Sequence, residues 1–558
     1  MKYEFLFSLF DRITAQNGRK TALGMRSKWG WNEYTYKGLN LMAMRIGAYL
    51  INDLKLQKGE RLAILSESKP EYAACVFGSV LAGLITVPLD NKLTIYELNH
   101  ILSNCEPTIL FCSSANIKKA LELQETIPSL KYIVLMDADL LDNKDIPSIY
   151  SIPENYSAKW RRSSLSSTAL IIYTSGTTGA PKGVQTTYKN VLTQMYDIND
   201  VFNDIMPKKD VRLLSILPMN HLFELTVGFL AMLNHGYSIY YTKSLRPKDI
   251  IEMMKDKEIS FMITVPAFLK LIKTYLESGL HKTSKLHQFL FKIRYELARF
   301  IPLRARRVWF KSIHKELGGK FYGCISGGAP LDAAVGEFFE RIGIGVYQGY
   351  GLSETSPVIS VCKNGKYHDI RSVGPILESY EAKIDPETSE LLVKGPSVMK
   401  GYYKQDDLTK SVMTEDGWFH TGDMAEIKKN NMLYITGRIK NMIVLSGGKK
   451  VFPEEVENVL GDSPNFAEVC VMGMAREFGE KDGCEEIVTV IVPTEDFMNK
   501  YPNDADLEKA VRAEVKSLSS RLASYKRPVK IVVHKEPLPK TTTNKLKRKA
   551  IKELIQAK

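Results

Sequence analysis

Between residues 40 and 270 the apolar residues fall into two rhythms that alternate along the chain. Short runs rich in β-branched residues, "RLAILSE", "ITVPL", "LLSILP", "YSIYYT" and "SFMITV", predict strands. Between them, apolar residues spaced three and four apart predict helices over 70–82, 221–235 (stopped at Gly236), 247–257 and 266–278. Such alternation predicts an α/β fold of layered, largely parallel sheets. The window "YAACVFGSVLAGLITVPL" (72–89) approaches membrane-spanning length. Its internal Gly83, the "ITV" run and Pro88 instead predict a buried helix, a turn and a strand. The opening "MKYEFLFSLFDRITAQ" reads as an amphipathic helix of the mature chain, because Glu4 and Asp11 and the lack of a small-residue cleavage site do not suit a signal peptide.

Past residue 370 the rhythm shortens into turn-rich stretches such as "GPSVMKGYY" and "TEDGWFHTGD", a β-rich subdomain. Beyond "ITGRIK" come strands "AEVCVMGMA", "IVTVIVP" and "VKIVVH" and a helix near 506–524, a small mobile α+β unit. The expected division is a large N-terminal domain over 1–439 and a C-terminal lid domain over 440–558. A chain of 558 residues exceeds one core, which suits such a split.

A net charge of +13 invites an anionic partner such as nucleotide, acidic lipid or nucleic acid, without choosing among them. The seven cysteines are scattered without CxxC spacing, which excludes a disulfide framework and fits a reducing, cytoplasmic compartment. No nucleic-acid-binding module is recognisable, so nucleic acid is not the expected partner.

The densest chemistry is "YTSGTTGAPKGV" (173–184), fired off the buried run "STALIIY". Hydroxyls of Thr174, Ser175, Thr177 and Thr178, glycines 176 and 179, and Lys182 would build a nest of inward N–H groups and a cation, a polyphosphate cradle. The spacing is not that of a P-loop, and an exposed turn is the alternative reading.

This loop resembles the signature loop of the adenylate-forming superfamily: acyl-CoA synthetases, adenylation domains and luciferases. The family's other motifs follow in order: "LPMNHLFE" (217–224), "ISGGAPL" (325–331), "QGYGLSET" (348–355), "WFHTGD" (418–423), "GRIKNMIVLSGGKKVFPEEVE" (437–457) and "PLPKTTTNKLKRK" (537–549). The resemblance implies ATP-dependent formation of an acyl-adenylate with loss of pyrophosphate, then displacement of AMP by a thiol. Residues 174–182, including Gly176 and Gly179, would hold the β- and γ-phosphates. Gly349, Tyr350 and Gly351 would lie against the nucleotide, Glu354 would help hold Mg²⁺, and Thr355 would approach the α-phosphate. Gly327, Gly328, Ala329 and Pro330 would pass their backbone along adenine. Asp423 and Arg438 would meet the ribose, and His221 would border the carboxylate. Lys545 would stabilise charge around the α-phosphate; Asn544 stands before it where the family usually has glycine, a residue that still tolerates the left-handed turn. Lys440 would be the hinge, and "SGGKK", with Gly447 and Gly448, would face the thiol tunnel. By the same resemblance "FELTVGF", "TVPAF" and the segment before Gly327 would line the acid pocket.

The stretch 281–315 sets ten Lys/Arg against one acid, Glu296, with Leu286, Phe289, Leu290, Ile293 and Leu297 at helical spacing. A comparable basic insertion resembles that of long-chain fatty acyl-CoA synthetases. Read from its residues, the helix either meets an anionic membrane as a peripheral element or packs its apolar face on the core. The expected activity is a long-chain fatty acid–CoA ligase using ATP, Mg²⁺ and coenzyme A; the alternative acceptor is a phosphopantetheine carrier protein.

Overall fold

The structure is a computed structural model that describes residues 6–28, 30–137, 146–153, 157–174, 181–207, 210–445, 450–475, 485–540 and 546–556. The chain divides into two compact units. The first comprises Met1–Ala382, Val393–Phe419 and Asn430–Met432; the second comprises Lys383–Leu392, His420–Lys429 and Leu433–Lys558.

Two sheets build the first unit. The larger has the spatial order Ser360–Val361, Gly345–Tyr350, Gly323–Ser326, Phe261–Thr264, Arg212–Ser215, Ser238–Tyr241, Thr21–Ser27, Gly30–Thr35. Its six inner strands are parallel and only the two edge strands run antiparallel. The second sheet has the order Gly401–Tyr402, Lys182–Thr187, Thr168–Thr174, Ile85–Leu89, Arg61–Leu65, Ile109–Cys112, Tyr132–Leu135, parallel from Thr168–Thr174 onward. Inner parallel strands are covered on both faces, which is why they read as unbroken apolar runs rather than alternating ones.

The window 72–89 folds as expected. Pro70 starts the helix Pro70–Ala82, all of it buried, and Gly83 ends it at φ 70° before the strand Ile85–Leu89. Among the described residues no helix is long and apolar enough to cross a membrane. One element departs from expectation. Over Glu224–Ala231 the predicted helix widens into π-helical turns, and every residue there is buried, Glu224 included.

In the second unit, Phe466–Ala475, Glu485–Pro493 and Lys530–Val533 form a three-stranded sheet. Helices Pro453–Leu460 and Asp504–Ser519 cover one face through Val456, Leu460, Val511 and Val515. Ile551 of the helix Arg548–Gln556 joins Met472, Val488 and Val490 on another apolar cluster.

Candidate functional site

Parallel strands end together, and in open α/β sheets ligands bind beyond their carboxyl ends. Four neighbouring strands of the larger sheet, 345–350, 323–326, 261–264 and 212–215, release at that edge the loops that carry most of the expected residues. His221 lies on the loop after Ser215, Gly327 to Pro330 follow Ser326, and Gly351 to Thr355 follow Tyr350.

The loop that bears His221 is clamped at its base. The Ser215 hydroxyl donates to the Glu224 carboxyl at 2.5 Å across it, while Met219 N–H donates to the Ser68 hydroxyl at 2.9 Å. Burial pushes Glu224 up to about 8, against the pull of the Ser215 hydrogen bond, so at neutral pH it is mostly a neutral acid. Gly228 makes room for it: a Cβ there would stand 2.5 Å from the Glu224 carboxyl. Phe223 reaches across to the loop after Ser326, 3.0 Å from where a Gly327 Cβ would lie, and Val265 stands 3.8 Å from that of Gly328. The segments expected to border the acid pocket thus meet at the sheet edge. Gly327 is buried, with its N–H donated to Thr264 C=O at 3.1 Å, whereas Gly328, Ala329 and Pro330 are exposed.

The loop 351–356 is packed closely on its own backbone. A Cβ on Gly351 would lie 1.9 Å from Pro357 C=O, so no other residue fits. Thr355 is fully buried, and its hydroxyl accepts from Leu352 N–H at 3.0 Å and lies within hydrogen-bond reach of Leu352 C=O. Tyr380 donates its phenol to Thr355 C=O at 2.5 Å. As placed, the Thr355 hydroxyl serves its own turn.

Glu354 is fixed by a residue that sequence reasoning did not single out. The Tyr402 hydroxyl donates to Glu354 Oε1 at 2.8 Å, and Met399 N–H donates to Glu354 C=O at 2.8 Å. Burial, reinforced by the neighbouring Glu354 charge, holds the Tyr402 phenol well above its usual range, so it remains a donor. Tyr402 also pairs opposite Val184, and its ring centre lies 5.4 Å from Lys182 Nζ. Lys182 in turn pairs opposite Thr174, closing the base of the glycine-rich loop. Tyr402 therefore joins the loop's cation to the acid expected at Mg²⁺. Ser175, Gly176, Thr177, Thr178 and Gly179 lie outside the described residues.

Among the described residues no group of three or more His, Cys, Asp or Glu side chains could hold a metal ion alone. Glu354 suits magnesium in another way. A carboxylate retains lone pairs beyond the one Tyr402 uses, and Mg²⁺ is commonly held by one or two carboxylates plus substrate phosphates. Gly349 and Tyr350 end their strand paired with Val361 and Ser360.

The second unit carries a separate polar centre. Asp423 is 1% exposed and grips Arg438 with both oxygens, Oδ1 to Nε at 2.6 Å and Oδ2 to Nη2 at 3.3 Å. The "HTGD" turn is held by Glu390, another residue not anticipated, which accepts from Gly422 N–H at 2.8 Å and contacts His420 Nδ1 at 2.9 Å. Lys440, two residues past Arg438, is exposed. Gly447, Gly448 and Lys545 lie outside the described residues. The flanks of Lys545 are anchored: Lys540 pairs with Glu468 at 2.6 Å, Lys540 bridges Leu546, and Arg548 binds both Glu457 oxygens at 2.6 and 2.7 Å. Two cations of this basic tail are thus paired with half-buried acids rather than spread over a solvated face.

Against this geometry, the AMP-binding enzyme family matches residues 10–403 and the AMP-binding enzyme C-terminal domain matches 455–545. The long-chain-fatty-acid–CoA ligase FadD15 of Mycobacterium bovis is 28% identical, over 78% of this chain and 74% of its own. Fatty acyl-CoA synthetase A of Dictyostelium discoideum is 29% identical, over 96% of this chain and 86% of its own. The crystal structure of ATP-bound MatB from Rhodopseudomonas palustris superposes with a TM-score of 0.77 at 24% identity, covering 98% of both chains, a likeness of fold.

Proposed function

The chain belongs to the AMP-binding enzyme family, and from that premise we propose that this adenylate-forming acyl-CoA ligase acts on a long-chain fatty acid. The observation that carries the reading is the Lys182–Tyr402–Glu354 contact at the base of the glycine-rich loop. A carboxylate is a poor electrophile, and bringing it to a triphosphate crowds anionic oxygens. The chain's task is therefore to offset that repulsion with fixed cations and donors. In this reading residues 174–182 hold the β- and γ-phosphates, with Lys182 supplying charge. Glu354 would hold Mg²⁺, which neutralises phosphate charge when bound, while Tyr402 fixes that carboxylate. Thr355 keeps the turn under Glu354, and Tyr350 with the Gly327–Pro330 backbone lies along adenine. Arg438 holds Asp423 oriented for the ribose hydroxyls.

The carboxylate oxygen attacks the α-phosphorus and pyrophosphate leaves. The CoA thiol, losing its proton, then attacks the acyl carbon and AMP leaves, giving a thioester. His221, on its clamped loop, would orient the attacking carboxylate. Lys545 would stabilise charge at the α-phosphate, and Gly447 and Gly448 would border the thiol path with Lys440 as pivot. Long-chain specificity is supported by relatives named long-chain-fatty-acid–CoA ligase, including one from Escherichia coli O157:H7 at 25% identity over the whole chain.

Pyrophosphate exchange into ATP tests the assignment. We expect exchange to require a fatty acid and to fall by at least tenfold in Glu354→Ala. Exchange in the variant equal to wild type would remove Glu354 from the site. Lys545→Ala is expected to suppress adenylate formation far more than thioester formation from supplied acyl-AMP; equal loss in both would refute its role.

A further inference from the structure

The helix Lys285–Leu297 contains no buried residue. Its inward side is Phe291 and Tyr295, followed by Ala298, which pack on the unit's core; the Tyr295 ring also carries the Arg341 guanidinium at 4.8 Å. The apolar stripe marked by its spacing points the other way. Leu286 and Phe289 are 66% and 61% exposed, and Leu290, Ile293 and Leu297 are exposed beside them. Phe300 and Val308, on the segment that follows, extend the apolar surface at 73% and 74% exposure. Single exposed leucines are ordinary, but a contiguous stripe on one element marks an interaction surface.

What it fits follows from the charges around it. By helical period Lys285 and Lys292 flank one edge of the stripe and Arg294 the other. Arg299 lies over the Phe300 ring at 4.7 Å. The one acid of the segment, Glu296, is paired with Arg341 at 3.2 Å. Arg306 and Arg307 are committed to backbone carbonyls of Ile301, Glu340 and Phe321, so they hold the segment's shape and do not count toward the surface. A surface cavity of about 330 Å³ lies among Arg294, Leu297, Val308 and Trp309, setting a cation beside apolar and indole walls.

We propose that this face docks on an anionic phospholipid bilayer, its apolar side chains at the acyl boundary and its lysines and arginines among the headgroups. A nucleic acid would meet the charges but leave leucine and phenylalanine in water. A second copy of the chain would oppose like charges. Only a surface that is apolar beneath and anionic above matches both features, and each Lys or Arg near such a surface strengthens binding roughly fivefold. The docking stands apart from the ligase reading, because it uses no residue of the site at the sheet edge.

The test is sedimentation of the full chain with vesicles of phosphatidylglycerol and phosphatidylcholine in equal parts, and with phosphatidylcholine alone, at low salt. Wild type is expected to sediment with the anionic vesicles and at least tenfold less with the neutral ones. Two triple variants, Leu286→Gln/Phe289→Gln/Phe300→Gln and Lys285→Glu/Lys292→Glu/Arg299→Glu, should each bind roughly a hundredfold more weakly. Both should keep the wild-type melting temperature, since the changed side chains are exposed. Absence of wild-type binding, or variants that bind as wild type, overturns the proposal. So does an apolar triple that dissolves a solution dimer without changing vesicle binding, which would assign the face to a second copy.

Discussion

Two helical segments of the first unit break the rule of apolar inside and polar outside in opposite senses. Glu224–Ala231 buries a carboxylic acid completely, while Lys285–Leu297 holds leucine and phenylalanine in water. The first departs from the helix that sequence periodicity leads one to expect, whereas the second takes one of the two directions its pattern left open. The first is apolar all round, so a single acid is carried inward by its neighbours. There it finds Ser215 and the space left by Gly228. The second is basic and amphipathic, but aromatic contacts of Phe291 and Tyr295 decide which side faces the core. Buried polar groups and exposed apolar stripes both cost stability when left alone, so each marks a place where something besides packing is served.

The comparison breaks most sharply at Gly228. Glycine to alanine inside a helix ordinarily stabilises by up to about 1 kcal/mol. Here we expect Gly228→Ala to destabilise by about 3 kcal/mol, because the new Cβ overpacks the Glu224 carboxyl. Denaturant unfolding measures it, and most of the loss should return in the Gly228→Ala/Glu224→Ala double variant.

Next comes the acid itself. Glu224 has a folded pKa of about 8 against an ordinary value of 4.5. The neutral form is favoured in the fold, so the unfolded chain gains by ionising as pH rises from 4.5 to 8, and stability is lost across that window. Glu224→Gln should therefore be more stable than wild type by about 2–3 kcal/mol at pH 7, with the gap closing near pH 4.5. Unfolding free energies for both proteins at the two pH values check the sign.

Tyr402→Phe should leave the fold intact and lower adenylate formation about tenfold, the effect of one lost hydrogen bond to a charged group. Its thioester half-reaction from supplied acyl-AMP should be unchanged. The smallest effect belongs to the outward stripe. Phe289→Gln is expected to alter stability by less than about 0.5 kcal/mol, the mark of a side chain that contributes nothing to the core.

Much of this architecture was legible beforehand. Runs such as "RLAILSE" and "ITVPL" became inner parallel strands, Gly83 ended its helix as expected, and the resemblance to the adenylate-forming superfamily was borne out. What stayed hidden depends on contacts between distant residues. Tyr402 meets Glu354 across 48 positions, and Glu390 reaches His420 across 30; no local spacing announces either. Periodicity likewise identified the stripe of Lys285–Leu297 but not its direction, because a helix has two sides and the core chose the aromatic one.

The most direct measurement is mass spectrometry of products after incubation with ATP, Mg²⁺ and free fatty acids of graded length, with and without CoA. The account predicts acyl-AMP and pyrophosphate without CoA, acyl-CoA and AMP with it, and highest yield with long chains. Release of ADP and phosphate, or no fatty-acid-dependent product, would contradict it, and acyl-AMP that persists when CoA is added would move the acceptor to a carrier protein.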